Sequence, residues 1–320
     1  MRSRSWNMDQ ENNNFVEDFF GSIPEGFVAK ALSLTSPGDA CRLSLVCSVF
    51  RSAAEWDAVW ESFLPPDYHK IVTQDENAGC SSFGSKKDLY LRLCDHPLII
   101  DGGNKSFSLD KRTGKKCYML AARDLSIVWG DTPRYWRWIS LPESRFTEAA
   151  ELISVCWFEV HGRISTSMLS PNTVYVAFIV FKSTSETHGF EYQPAEVSIG
   201  ISGLESQTQT VFLEPEGEQR RRYPVVPRRR MGMYHRGGVA YPNLNQNQNQ
   251  NFIAPVNASA NGNGPRQRED GWMEIELGEY LIKGGEEGEL EMSMTEVKGG
   301  NWKGGLVIQG IEIRPKLCKT

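Results

Sequence analysis

Seven cysteines are scattered through 320 residues, and no two of them are spaced Cys-x-x-Cys. Metal ligands must converge in short loops, so this scatter excludes a zinc finger or ribbon, and no metal is expected. Their odd number and their place in apolar runs such as "SLVCSVF" and "LISVCWF" make most of them small buried hydrophobes. Histidine is scarcer still. His161 has no second histidine nearby and reads as a satisfied structural residue. Gly-x-Ser-x-Gly, phosphate-loop and zinc spacings are all missing, so no cofactor is expected and no catalytic motif marks an enzyme. No window holds eighteen uninterrupted apolar residues, and the first twenty lack an apolar core of signal-peptide length. The expectation is a soluble chain of the cytoplasm or nucleus with no membrane partner. Positive charge is also short: 35 basic against 40 acidic residues give a net charge of -5, which argues against a general nucleic-acid binder.

What is present divides the chain. Residues 1–18 are polar and Asn-rich and read as disordered. Over 19–66 the apolar spacing is helical, through Phe27, Val28, Ala31 and Leu32, then Cys41, Leu43, Leu45, Val46 and Phe50. In "SPGD", Ser36 can cap, Pro37 suits the first helical position and Asp39 sits three residues on. Asp57 is a candidate cap for a further helical turn that Pro65 and Pro66 end. Residues 67–86 read as a polar linker, and "KKDLYLRLC" as a short amphipathic piece joining two domains. Beyond Pro97, about nine short alternating runs with turn signals between them predict an antiparallel β-sandwich, jelly-roll-like, over 87–320. Together these make an α+β multidomain chain. The sandwich is interrupted at 214–270 by an Arg- and Asn/Gln-rich stretch that reads as a disordered insertion. Within it, "RRRYPVVPRRR" fits either a nuclear address or a solvated loop.

The helical unit resembles the F-box. The ordered series is Ile23-Pro24-Glu25, an apolar helix with Val28 and Leu32, a core of Leu43, Val46, Cys47 and Phe50, and a closing aromatic, Trp60. A unit of about 45 residues has too little interior to hide all these side chains, so apolar surface should remain for a partner. The resemblance implies that Ile23, Pro24, Val28, Leu32, Leu43, Val46, Cys47, Phe50 and Trp60 bind a Skp-type adaptor, which bridges to a cullin-based ubiquitin ligase. The remainder resembles the plant phloem lectins (phloem protein 2) and the related tobacco agglutinin, Nictaba. "ARDLSIVWGDTPRYWRW", "ELISVCWFEVHGRI", "TVYVAFIVFK" and "WKGGLVIQGIEIRP" carry the likeness. It implies a carbohydrate site made of Trp129, Trp136, Glu289 and Glu296, and ligands of the N-acetylglucosamine-oligomer or N-glycoprotein type. Stacking on indoles and hydrogen bonds to carboxylates suit sugar rings.

Two questions arise from the residues themselves. "WGDTPRYWRW" puts three tryptophans in ten positions, and each is either core or stacking surface. In "GELEMSMTEV", alternation sets Glu289 with Glu291, Ser293 and Thr295, but Glu296 with Leu290, Met292 and Met294. Both glutamates serve one site only if Glu296 lies past the strand end or a bulge shifts the parity. Otherwise Glu291 is a solvated neighbour and one assignment is wrong. Trp157, Trp272 and Trp302 read as core or sheet-face residues. The leading function is a non-enzymatic adaptor that brings an unidentified target protein to a ligase. One alternative is the same adaptor with a purely protein-binding sandwich. A remote one is a glycoside hydrolase built on paired carboxylates.

Overall fold

The computed structural model describes residues 23–74, 84–190, 193–213 and 264–317. The predicted disordered start and residues 214–263 of the predicted insertion lie outside them. Among the described residues six α-helices lead: α1 (Glu25–Leu32), α2 (Pro37–Leu43), α3 (Ser48–Ala53), α4 (Asp57–Phe63), α5 (Tyr68–Val72) and α6 (Lys86–Asp95). The start of α2 forms as its sequence dictates. Ser36 Oγ accepts the Asp39 N–H at 3.1 Å, and Pro37 takes the first helical position, where its missing N–H costs nothing. Ser85 caps α6 in the same way, accepting from the Asp88 N–H. Asp57 does not cap its own helix. Its Oδ1 accepts the Lys86 N–H at 2.7 Å, which ties the start of α6 to the start of α4.

Of the stretch 67–86 expected to be a linker, residues 75–83 lie outside the described residues, and both of its described ends are built into the helical unit. Residues 68–72 are helical, and α6 supplies Leu89, Tyr90 and Leu93 to the same interior as Val28, Leu32, Val59, Trp60 and Phe63. The Trp60 and Tyr90 rings stand 5.3 Å apart, and the Trp60 indole N–H donates to Ala54 O at 2.7 Å. The helical unit is also joined to the β domain. Tyr90 donates to Asp110 O, the Gly38 N–H donates to Arg112 O, and the buried Lys116 pairs with Asp67 at 2.7 Å. One continuous apolar cluster runs from Val28 through Phe107 and Leu120 to Ile313.

Fourteen strands lie C-terminal to the helices among the described residues: β1 (Leu98–Ile100), β2 (Lys105–Leu109), β3 (Lys116–Ala121), β4 (Ser126–Ile127), β5 (Trp136–Ile139), β6 (Ala149–Leu152), β7 (Phe158–Ser165), β8 (Thr173–His188), β9 (Ala195–Ile201), β10 (Gln207–Val211), β11 (Arg266–Gln267), β12 (Met273–Ile282), β13 (Glu289–Glu296) and β14 (Gly304–Pro315). They form two antiparallel sheets. The larger runs β1-β2-β3-β14-β8-β12-β11, with β6 and β5 attached to β14; the smaller runs β10-β9-β13-β7-β4. This is the β-sandwich that the alternating runs predict. The fold resumes earlier than expected, however. Residues 264–270, assigned to the insertion from sequence, include β11 and Arg268, whose guanidinium pairs with Glu312 at 2.6 Å and Glu274 at 2.9 Å. Arg314 joins the same carboxylates, closing a network on the larger sheet. No helix among the described residues is long and apolar enough to cross a membrane.

Candidate functional site

On the helical unit, burial sorts the nine residues expected at the adaptor surface. Val28, Leu32, Cys47 and Trp60 are buried and form the unit's own core, so they support a surface from within instead of being one. Ile23, Leu43 and Phe50 are half-buried against that core, and only Pro24 and Val46 stand open. Phe27 and Leu45, which the sequence reading did not place at that surface, are 72% and 78% exposed, and Trp56 is open as well. The cause is helical geometry. In α1 the residues facing inward are Val28, Ala29 and Leu32, and Phe27 lies off that stripe. Burying a side chain of this kind is worth about 1.5–3 kcal/mol, so several left in water on one small unit mark an interaction surface.

The tryptophan cluster divides. Trp136 is 2% exposed; its indole N–H donates to Val128 O at 3.2 Å and its ring lies 6.2 Å from Phe158. It cannot offer a face to a ligand, which corrects its assignment as a stacking residue. Trp138 is half-buried, donates to Gly130 O at 3.2 Å, and carries the Arg123 guanidinium 3.7 Å above its ring. Both indoles therefore pin the backbone of the turn that holds Trp129. That third tryptophan is 43% exposed, stacks near Tyr135 at 5.2 Å, and sits at φ +59°. A bulky residue in the left-handed region is an outlier, and such conformations persist only where the surroundings over-determine them.

The two glutamates also part. β13 pairs with β7 from Glu289↔Ser165 to Glu296↔Phe158 with no break in register, so parity never shifts. Glu289 lies on the outer face and Glu296 on the inner. Glu296 is 3% exposed and ion-paired with Lys303, itself fully buried; its Oε1 accepts the Gly299 N–H at 2.9 Å. Lys303 donates further to Asn301 O at 2.8 Å and Cys156 O at 3.2 Å. The pair holds the turn after β13 against the turn before β7. It is a structural fastening, and its assignment to the sugar site is overturned. Trp129 and Glu289 do not meet either. Val128 pairs at Glu159 while Glu289 pairs at Ser165, six residues or about 20 Å along β7.

A different set converges on the outer face of the smaller sheet. Alternation in β7 turns Glu159, His161 and Arg163 outward, opposite Thr295, Ser293 and Glu291 of β13. The Trp157 indole N–H donates to Glu159 Oε2 at 2.6 Å, and Glu159 Oε1 meets His161 Nε2 at 2.8 Å. Those two bonds, Trp157 first, hold the Glu159 carboxyl below its ordinary pKa. His161 Nδ1 faces Glu291 Oε1 at 3.5 Å, and Arg163 donates to that same oxygen at 3.1 Å. Of the three tryptophans expected in the core or on a sheet face, Trp157 and Trp302 are substantially exposed, whereas Trp272 is buried and donates to Glu143 O. Glu291, read from sequence as a solvated neighbour, meets His161 and Arg163 in this set. The alternation in "FEVHGRIS" carried the signal for this face; the isolated reading of His161 hid it.

Comparison with known proteins comes to the same two modules. Residues 115–315 match the family model for phloem protein 2. The chain is 40% identical over 307 residues to F-box protein PP2-B1 of Arabidopsis thaliana, covering 93% of this chain and 90% of that one. It is 42% identical to the putative F-box protein PP2-B12 of the same plant, covering 93% and 98%. Among solved structures, the Podospora anserina GH26-CBM35 β-(1,4)-mannanase overlays 64% of this chain and 28% of that one at a TM-score of 0.30 and 7% identity, too slight a likeness to carry an argument.

Proposed function

The chain belongs to the F-box proteins that carry a phloem protein 2 domain, and on that premise we propose that it is a substrate-recognition subunit of a Skp-cullin-F-box ubiquitin ligase. The helical unit binds a Skp-type adaptor through Pro24, Phe27, Leu45 and Val46. The sandwich captures a target protein through sugars of the N-acetylglucosamine type. Ubiquitin transfer is done by the partners, and this chain raises the target's effective concentration beside them. The observation that carries the adaptor half is the open apolar set on a unit whose own core is already closed by Trp60 and Tyr90. Supporting the sugar half are the open indoles of Trp129 and Trp157 and the carboxylates and hydroxyls of the smaller sheet's outer face.

The coupling of the units refines the mechanism. Because α6 belongs to the helical core and Lys116 pairs with Asp67 across the junction, the target is presented at a fixed offset from the adaptor, not on a tether. Co-expression of the full chain with a Skp-type adaptor tests the adaptor half. The wild type co-elutes in size exclusion, and the double variant Phe27→Glu, Val46→Glu runs alone with unchanged circular dichroism. Co-elution of that variant would refute the surface.

A further inference from the structure

The hairpin between β9 and β10 folds back over the smaller sheet and closes one side of a hollow of about 130 Å³. Its floor is Ser198, Gly200, His161, Glu291 and Ser293; its wall is the hairpin, residues 202–206. Gly200 makes this approach possible, since a Cβ there would lie 2.9 Å from Ser206 Cα. The hollow joins the central residues of three strands, because Ser198, Ser293 and His161 are direct cross-strand neighbours.

Its hydrogen-bonding inventory is unbalanced. The Glu159 carboxylate only accepts, so His161 Nε2 carries a hydrogen. The ring's Nδ1 is buried, has no hydrogen-bond partner, and faces Glu291 Oε1 at 3.5 Å. A buried polar atom without a partner is costly in a low-dielectric recess, and a ligand hydroxyl, which both donates and accepts, would satisfy it. Beside them, Ser198 and Ser293 share one hydrogen bond at 2.7 Å, so the hydroxyl that accepts keeps its own O–H free to turn toward the hollow. The floor thus presents the unpartnered Nδ1 of His161, the Glu291 carboxylate and one mobile hydroxyl. Trp157, bonded to Glu159 at the end of the same chain of contacts, adds an open indole face.

We infer that this hollow is the saccharide subsite of the protein, taking the donor-rich edge of one neutral pyranose ring at the end of a glycan; this rests on the sugar-binding reading above. The volume, about four waters' share of the liquid, seats the edge of one ring and not a chain. Vicinal hydroxyls, or a hydroxyl beside an acetamido N–H, pair with His161 Nδ1 and with the Glu291 lone pairs that Arg163 leaves open. The carboxylates Glu159 and Glu291 disfavour an acidic sugar. Trp157 then stacks on the next ring outward.

The test is calorimetric titration of the full chain with the N-acetylglucosamine trimer, and with methyl mannoside and methyl galactoside as single-ring probes. Glu291→Gln and Ser293→Val should each weaken the probe that binds by tenfold or more, with the melting temperature unchanged. Ser293→Val keeps a strand-forming residue while filling the hollow with methyl groups, and Glu291→Gln preserves shape, so one reports if the other misfolds. Binding that both variants keep but Trp129→Ala loses overturns the hollow and leaves the sugar reading standing. A wild type that binds none of the three probes overturns the sugar reading and the subsite with it.

Discussion

Removing one partner of the Glu296–Lys303 pair gives the most decisive reading of the sandwich. Both side chains are essentially inaccessible, at 1% and 0% exposure, and neither can recover water without unfolding the turns around it. Lys303→Met leaves a buried carboxylate whose remaining bond is the Gly299 N–H. It also releases Cys156 O and Asn301 O, which Lys303 satisfies. Breaking a buried pair from one side costs about 3–5 kcal/mol. At a urea slope of about 2–3 kcal/mol/M, a loss of about 4 kcal/mol lowers the unfolding midpoint by about 1.3–2 M. Replacing both partners, Glu296→Leu with Lys303→Met, removes the stranded charge, and most of the loss should return. The double-mutant cycle therefore gives a coupling energy of more than about 2 kcal/mol. The assay is urea unfolding of the four proteins followed by tryptophan fluorescence, with sugar titration of Glu296→Gln alongside. If Lys303→Met shifts the midpoint by less than about 0.4 M, the fastening role is wrong. So it is if Glu296→Gln loses sugar binding while stability stays intact, for then the glutamate contacts ligand after all.

Burial and charge give two further outcomes. Trp136→Ala should destabilise by about 3–5 kcal/mol, because a whole indole leaves a closed core; a variant of wild-type melting temperature that had lost only sugar binding would contradict its placement. The Glu159 carboxyl is held below its ordinary pKa, so it stabilises the fold above the unfolded value near pH 4.3 and loses that contribution as pH falls through the folded value. Trp157→Phe removes the first cause of that shift. Thermal unfolding of the two proteins should differ above about pH 5 and converge below about pH 3, and a constant difference across that range would mean Glu159 is not the titrating group.

Local chemistry made much of this protein legible before any fold was known. Ser36, Pro37 and Asp39 specify a helix start through bonds made within four residues, so the start of α2 lies where its sequence puts it. The alternation of 289–296 was enough to say that Glu289 and Glu296 point to opposite faces unless the strand broke, because a pleated strand has period two whatever it packs against. The F-box series likewise identified its module through residues that are mostly buried in the core or packed against it, since it is the core that a short helical unit must keep.

Tertiary structure decided which face is covered. Period two says that Glu159, His161 and Arg163 share a side, but not that the β9–β10 hairpin comes to rest over them from about forty residues away. Trp129 and Trp136 are alike as residues; β5 pairing through β6 to β14 closes over one, while a left-handed turn turns the other outward. Period two sets Glu296 on the face of Leu290, Met292 and Met294, but it is the fold that brings Lys303, just before β14, to pair with it there. Local hydrogen bonds and periodicity are set by neighbours in the chain, so the sequence alone determined the elements and their sidedness. Desolvation and ion pairing depend on what arrives from elsewhere, and only the packed fold decided which of those residues hold the protein together and which are left for a ligand.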